Sequence, residues 1–211
     1  MARRVFFSFH YEDVSSFRAN VVRNSWVTHD AGKQNTFSDS SIWEAARTRG
    51  PAAIKALIDE EGLHGTSVTV VLIGQRTHER RWVKYEIVRS FERGNGIVGV
   101  HINRIRDKEG YITSKGLDPL ERIGFLVSKD GKKVYFYELV KRKWRAFADL
   151  PQINNKKSNS LYFAEGFLFK NAKWGEFLTF GDYFKTYCWD RDDGFSNLSD
   201  WVEAAATAVG R

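Results

Sequence analysis

A single carboxylate, Glu86, lies among aromatic, aliphatic and basic residues in the stretch RRWVKYEIVRS, residues 80–90. Val83, Ile87 and Phe91 recur at i, i+4 and i+8, so the segment predicts a helix with one apolar stripe. Glu86 directly precedes Ile87 and follows Val83 by three residues, which places it at the border of that stripe. A carboxylate in this position is either solvated on the helix surface or turned toward a cleft, where it would act as a charged catalytic or binding group.

Polar residues also follow the first predicted strand. Val5–Phe9 (VFFSF) is a short apolar and aromatic run, the pattern of a buried strand, and Ser8, Phe9 and His10 stand at its carboxyl end. The run TSVTVVLIG, residues 66–74, is β-branched and ended by glycine, so it predicts a second strand, whose loop leads into the acidic segment. Ligands of open parallel sheets bind beyond the carboxyl ends of the strands, because loops and helix N-termini meet there. We therefore expect a site at these two strand ends.

The first hundred residues alternate between strand and helix patterns. Besides the segments above, they predict a helix with Val14, Phe17, Val21 and Ser25 on one face, a helical turn at 42–47, a helix opened by Pro51, and a strand at 97–102. Such alternation is typical of a parallel sheet covered by helices. The fold class is therefore predicted as α/β, a flavodoxin-like three-layer fold with a central parallel sheet.

The second half of the chain has a different pattern. Residues 133–139 (KVYFYEL) predict a strand, with 143–147 as its hairpin partner, and 201–209 predict a final helix with Asp200 as its cap. The run DRDDG before that helix does not have EF-hand spacing and is interpreted as a turn. We therefore predict a core at residues 1–128 and a C-terminal elaboration at 129–211 that packs on the core within one structural domain.

Composition restricts the classes of function. The chain has 211 residues, a net charge of +7 and one cysteine, Cys188, so an internal disulfide and an all-cysteine metal site are excluded. The five histidines show no ligand spacing, and no metal is expected. No apolar run is long enough for a signal peptide or a membrane span, so a cytoplasmic protein without membrane contact is expected. The basic residues lie in separate segments without a nucleic-acid-binding motif, so nucleic acid is not an expected partner.

Several motifs together resemble one family. RVFFSFHYEDV resembles the opening strand and loop of TIR domains, and VTVVLIGQRTHERRWVKYEI resembles the TIR strand, loop and helix in which a tryptophan precedes the catalytic glutamate by a few residues. The similarity is closest to the TIR-like proteins of the Thoeris antiphage system, the ThsB family. It extends through SIWEA, GVHIN, SKGLDP and WDRDDGFSNLSDWV, and so covers nearly the whole chain, most weakly at 151–173.

This resemblance implies an enzyme that consumes NAD⁺ as its substrate and needs no cofactor. Members are thought to cleave the nicotinamide–ribose bond and to cyclise the product to a cyclic ADP-ribose isomer. That second messenger activates a separate effector, which depletes NAD⁺. Glu86 then corresponds to the catalytic carboxylate, and the implied substrate contacts are Ser8, Phe9, His10, Asp39 and Trp82.

The chemistry explains why one acid suffices. Nicotinamide leaves NAD⁺ as a neutral molecule, so no second carboxyl group is needed to protonate it, unlike in ordinary glycoside hydrolysis. A carboxylate beneath the ribose would stabilise the oxocarbenium-like transition state and hold the sugar hydroxyls.

Two other functions stay open on the sequence alone. One is a non-catalytic TIR-like adaptor that acts by protein association, and the other is a nucleotide- or nucleic-acid-binding module driven by the positive charge. The sequence also departs from the wider TIR pattern: the loop before Pro51 lacks the proline motif of receptor TIR domains, and Val83 stands where many TIR domains have cysteine. Both departures weaken inferences about self-association.

Overall fold

The computed structural model describes residues 3–28, 36–40, 48–154 and 174–211. The helical turn predicted at 42–47 lies outside these ranges, and so does the motif SIWEA. In the described part of the chain, no helix is both long and apolar enough to cross a membrane.

A parallel sheet forms the centre of the molecule. Its described strands are β1 (Arg4–Ser8), β2 (Thr36–Asp39), β3 (Val68–Ile73), β4 (Gly96–His101) and β10 (Thr186–Cys188). They pair in the order β10-β4-β3-β1-β2, and every pair is parallel. All residues of β3 and β4 are buried, as expected for strands covered on both faces. The predicted parallel sheet is confirmed.

Helices cover both faces of this sheet. On one face lie α2 (Arg18–Thr28) and α5 (Gly194–Ala208), which pack against alternate strand residues such as Val5, Phe7 and Val70. On the other face lie α3 (Pro51–Leu57) and α4 (Arg81–Glu92), which pack against Phe6 and Val71. Side chains alternate between the faces of a strand, so a single strand supplies both cores. The three-layer architecture is confirmed, and so is the helix opened by Pro51.

The helix predicted after β1 is interrupted, and its predicted apolar face is only partly confirmed, because Ser25 is buried and Val14 packs on the core. It is broken into α1 (Glu12–Ser15) and α2 by Phe17, whose backbone adopts a left-handed conformation with φ of 66°. Phe17 and Val21, predicted on the apolar face, are 52% and 40% exposed, whereas Val22 and Trp26 are buried. The break turns the helix about its axis, so the residues one position further along the chain meet the sheet.

An antiparallel sheet packs outside α4. It contains β5 (Ile123–Val127), β6 (Lys133–Val140), β7 (Lys143–Ala146), β8 (Gln152–Asn154) and β9 (Phe177–Thr179). The predicted hairpin is confirmed, because β6 pairs with β7 in antiparallel register. The two layers meet at Phe91 of α4, whose ring lies 5.5 Å from that of Phe125 and 5.0 Å from that of Phe180. The antiparallel sheet therefore supports the helix that carries Glu86.

The strand pairing crosses residue 128, where the sequence predicts a division that stays a prediction. The antiparallel sheet begins earlier, at Ile123, and the end of the chain returns to the core, where β10 extends the parallel sheet and α5 covers it. Helix α5 lies close to β4, because a Cβ atom on Gly96 of β4 would lie 2.3 Å from the backbone oxygen of Ala205 in α5. The final helix also starts seven residues before the predicted position, with Asp193 rather than Asp200 as its cap. Contacts between distant segments decide these features, and local patterns do not reveal them.

Candidate active site

The helix α4 carries Glu86 into the protein interior. The residues Val83, Ile87 and Phe91 are all fully buried, which confirms the predicted stripe. Glu86 is also completely buried, with 0% of its surface exposed. The solvated alternative is therefore excluded. A buried carboxylate is costly unless hydrogen-bond donors surround it, so the neighbours of Glu86 decide what it can do.

Two serine hydroxyls bind the Glu86 carboxylate. Ser8, the last residue of β1, donates to Oε2 at 2.6 Å, and Ser40, directly after β2, lies 2.9 Å from Oε2 and 3.0 Å from Oε1. The oxygen of Ser40 also accepts the Phe9 backbone N–H at 3.2 Å. Hydrogen bonds to an ionised oxygen are short and strong, so these donors replace water around the charge. The carboxylate is thus fixed where β1 and β2 end.

Ser40 was missed by the sequence analysis. Its position depends on the parallel register of β1 with β2, in which Phe7 lies beside Asp39, so that Ser8 and Ser40 follow as neighbours. A weak signal existed, because Ser38 and Ser40 alternate with the larger Phe37 and would share one face of a strand. The sequence contains no indication of which strand that face would meet.

Two of the predicted substrate contacts lie on the other face of the sheet. The Asp39 carboxylate accepts a hydrogen bond from Arg23 of α2 at 2.6 Å, and the Arg23 guanidinium lies 5.4 Å from the centre of the Phe9 ring. Alternation along the strands sends these side chains toward α2, whereas Ser8 and Ser40 point toward α4. The structure therefore does not bring Phe9 and Asp39 to Glu86, and their contacts with substrate stay predictions.

His10 lies at the carboxyl end of β1 but pairs with a neighbour in its own loop. It is 8% exposed, and its Nδ1 atom lies 3.4 Å from the Glu12 carboxylate. Burial, assisted by the positive charge of Arg80, lowers the pKa of His10 to about 4. The ring is therefore neutral at pH 7, where it can donate or accept a hydrogen bond but carries no charge.

Trp82 lies in the first turn of α4 and is half-buried. Its ring packs against the core beneath α4 and meets Tyr85 edge to face, with 6.2 Å between the ring centres. The Arg81 guanidinium lies 4.6 Å from the centre of the Trp82 ring, within range of a cation–π interaction. Trp82 is thus partly core residue and partly surface, and its role as a pocket wall stays a prediction.

A second buried acid, Asp13, was also missed. It is 8% exposed and lies 3.5 Å from the Thr77 hydroxyl, which belongs to the loop after β3. Burial is the main cause that raises the pKa of Asp13 to about 6. Only glycine fits beside it at position 74, because a Cβ atom there would lie 2.2 Å from an Asp13 carboxylate oxygen. Asp13 thus joins the loops that follow β1 and β3 at the same edge of the sheet as Ser8.

The acidic run near the C-terminus is a turn, as predicted. Asp192 accepts the Cys188 backbone N–H at 2.6 Å, and the Asp193 side chain accepts from the N–H of Ser196 at the start of α5. In the ranges that the structure covers, no group of three or more His, Cys, Asp or Glu residues could hold a metal ion. The geometry at Glu86 thus offers a fixed carboxylate, hydroxyl donors and backbone groups.

Comparison with known proteins connects this geometry to one group. Residues 6–107, which include Ser8, β3, α4 and Glu86, match the model of the family described as "Thoeris protein ThsB, TIR-like domain". The chain is also 44% identical over 204 residues to a protein of Bacillus cereus (strain MSX-D12) named "Putative cyclic ADP-D-ribose synthase ThsB1". That alignment covers 96% of this chain and 100% of the relative, so the similarity includes the antiparallel sheet and α5 as well as the site.

Proposed function

Because the chain belongs to the ThsB family of Thoeris TIR-like proteins, we propose that it cleaves NAD⁺ at the nicotinamide–ribose bond and cyclises the product to a cyclic ADP-ribose isomer. The Glu86 carboxylate is the catalytic group. The observation that carries this proposal is the buried carboxylate held by Ser8 and Ser40 at the carboxyl ends of two parallel strands. The relative's name, cyclic ADP-D-ribose synthase, agrees with this chemistry.

The contacts of Glu86 suit the cleavage step. Nicotinamide departs as a neutral base, so the enzyme must stabilise the positive ribose and does not need to protonate the leaving group. A negative charge that is fixed before the reaction and shielded from water stabilises that cation strongly, since no solvent has to reorganise. Ser8 and Ser40 hold the carboxylate in place. The ribose hydroxyls of NAD⁺ are donors of the same kind and bind the same oxygens.

The buried setting also favours cyclisation over hydrolysis. Glu86, Ser8 and Ser40 are each at most 2% exposed, so little water reaches the carboxylate. Where water is excluded, a nucleophile within the substrate captures the ribose cation. Ring closure by that nucleophile yields the cyclic product.

We further propose how the product acts in the cell. It diffuses to a separate NAD⁺-depleting effector, so the signal passes between two cytoplasmic proteins without a membrane step. A deproteinised reaction mixture from the active enzyme should then reproduce NAD⁺ loss in cells that contain the effector, and a mixture from an inactive variant should not. Self-association of the chain is a separate expectation, which light scattering of the purified protein would test.

NAD⁺ turnover of wild type and Glu86→Gln tests the proposed activity. Products are separated by mass and retention time, both with purified protein and in extracts of infected cells, because a silent purified enzyme would still respond to its cue in the extract. Glutamine keeps the shape of the side chain but removes the charge, so we expect cyclic product to fall by at least about 100-fold.

A matched variant controls for damage to the helix. Glu92→Gln makes the same chemical change on α4, at a carboxylate that pairs with Arg89 and does not contact the serines. It should keep wild-type turnover. If neither wild type nor Glu92→Gln forms product in either setting while protein associations persist, the chain is an adaptor and the proposed activity is refuted.

A further inference from the structure

A separate cavity lies at the carboxyl ends of β4 and β10. It has a volume of about 390 Å³, and its lining includes His101 and Cys188, the last residues of these strands. In the strand order, β3 lies between β4 and β1, so the cavity is two strand spacings, roughly 10 Å, from the end of β1. It contains neither Glu86 nor the serines that bind Glu86. It does lie on the edge of the sheet where parallel α/β folds bind ligands.

A buried imidazole lines this cavity without a full set of partners. His101 is 5% exposed, and its Nδ1 atom is buried and has no hydrogen-bond partner in the described part of the protein. Burial, followed by the positive charge of Lys115, lowers the pKa of His101, so the ring is neutral at pH 7. Buried polar atoms are nearly always hydrogen-bonded. The Nδ1 atom is therefore a candidate to bind a ligand in the cavity that His101 lines.

Two cations line the same space. Lys115 and Arg191 form no hydrogen bond or ion pair with any residue within the described ranges. Both are close enough to His101 to affect its charge. An unpaired lysine and an arginine across one cavity are the usual partners of a phosphate group, because the guanidinium matches its oxygens and the ammonium adds a point charge.

The carboxylates of the cavity are bound to neutral donors. Asp118 accepts the Thr186 hydroxyl at 2.5 Å and the Leu120 backbone N–H at 2.8 Å, so both of its oxygens are occupied. Asp192 accepts the Cys188 backbone N–H. Glu121 is a third carboxylate of the lining. A site with carboxylates and unpaired cations is unsuited to a simple anion, and suits a ligand with both hydroxyl donors and an anionic group.

We propose that this cavity binds a phosphorylated ribose, with the phosphate at Lys115 and Arg191 and the sugar hydroxyls at Glu121 and His101. Glu121 lies in the short helical turn before β5 and lines the cavity, and a carboxylate beside the strand ends binds ribose hydroxyls in other open α/β sheets. The volume lies within the range of small-molecule sites, about 300–1,000 Å³. This proposal does not depend on the catalytic role of Glu86, because the two sites use different strands.

Binding is measured by isothermal titration calorimetry on the full chain with Glu86→Gln, which prevents turnover. The probes are ribose 5-phosphate, inorganic phosphate and ribose, each titrated separately. We expect saturable binding of ribose 5-phosphate, at least about tenfold tighter than of either fragment, because the ligand must satisfy both kinds of group. Added to the same protein, ribose 5-phosphate should also shift the ring ¹⁵N resonance of His101.

Two double variants separate the cavity from the general positive charge. Lys115→Gln with Arg191→Gln should weaken binding of ribose 5-phosphate by at least about tenfold. Lys141→Gln with Arg142→Gln removes the same charge from an exposed hairpin turn and should change binding by less than about twofold. Circular dichroism checks that both are folded.

Three results would overturn the proposal. One is the absence of saturable binding together with an unchanged His101 resonance. Another is an equal loss of affinity in the two double variants, which would indicate electrostatic attraction by the surface. The third is that inorganic phosphate binds as tightly as ribose 5-phosphate, which would exclude the ribose.

Discussion

Replacement of Ser40 by alanine tests whether the hydroxyls position Glu86, the proposed catalytic carboxylate. Ser40→Ala removes a donor that lies 2.9 and 3.0 Å from the two oxygens of Glu86, and the acceptor of the Phe9 N–H. A buried hydrogen bond to a charged group contributes about 1.5–3 kcal/mol to stability. For a chain of this size, that loss lowers the melting temperature by about 3–12 °C.

The Ser40→Ala substitution should also slow catalysis. Of the two serines, Ser8 binds only Oε2, whereas Ser40 lies within hydrogen-bond distance of both oxygens. Loss of Ser40 removes the hydroxyl that lies within hydrogen-bond distance of both carboxylate oxygens. A displacement of about 1 Å from the productive position reduces rates by up to about 100-fold. We expect kcat for NAD⁺ cleavage to fall by about 10–100-fold, with a smaller change in KM. The rates are measured from initial velocities of nicotinamide release.

Ser38 supplies the matched control. It lies two residues earlier on the same face of β2, is buried, and donates to the Gly62 carbonyl oxygen at 2.5 Å, without contact with Glu86. Ser38→Ala should lower stability by about 1 kcal/mol and keep kcat within about threefold of wild type. Ser40→Thr retains the hydroxyl and should restore part of the rate. Equal losses of kcat in Ser38→Ala and Ser40→Ala, both fully folded, would refute the positioning role.

Three further predictions concern other parts of the fold. Because Asp13 has a pKa of about 6 when folded and about 3.8 when unfolded, its contribution to stability is present below pH 4 and is lost as pH rises through 6. In urea unfolding, the free energy of unfolding of Asp13→Asn relative to that of wild type should rise by on the order of 2 kcal/mol between pH 4 and pH 7. A difference in unfolding free energy that does not change with pH would contradict this. Gly96→Ala forces a contact with the backbone of Ala205 and should cost about 1–3 kcal/mol, and an unchanged melting temperature would mean that α5 does not pack closely on β4. Asp149→Asn weakens a two-bond pair with Arg81 at 2.7 Å and an ion pair with Lys55 at 2.9 Å, and should lower stability by about 1 kcal/mol. Unaltered unfolding would show that these pairs are too solvated to contribute.

Much of the fold and the burial of Glu86 at the edge of an apolar stripe could be predicted from local patterns. Strands β1, β3 and β4 are mainly apolar segments, and the stripe through Val83 and Ile87 defines α4. These patterns are local because a buried strand or helix must carry its apolar residues at its own period. Glu86 was identified from its place beside that stripe and from the resemblance of its surroundings to TIR domains.

Only the tertiary structure determines which residues surround Glu86 and where the C-terminal segment packs. Ser40 meets Glu86 across 46 residues, whereas Asp39, its neighbour, turns to Arg23 on the opposite face. Side-chain alternation predicts that adjacent residues of a strand point to opposite faces of the sheet. The strand order and the crossovers decide which helix covers each face. For the same reason the return of β10 to the parallel sheet has no local signal, since a three-residue strand is defined only by the partner with which it pairs.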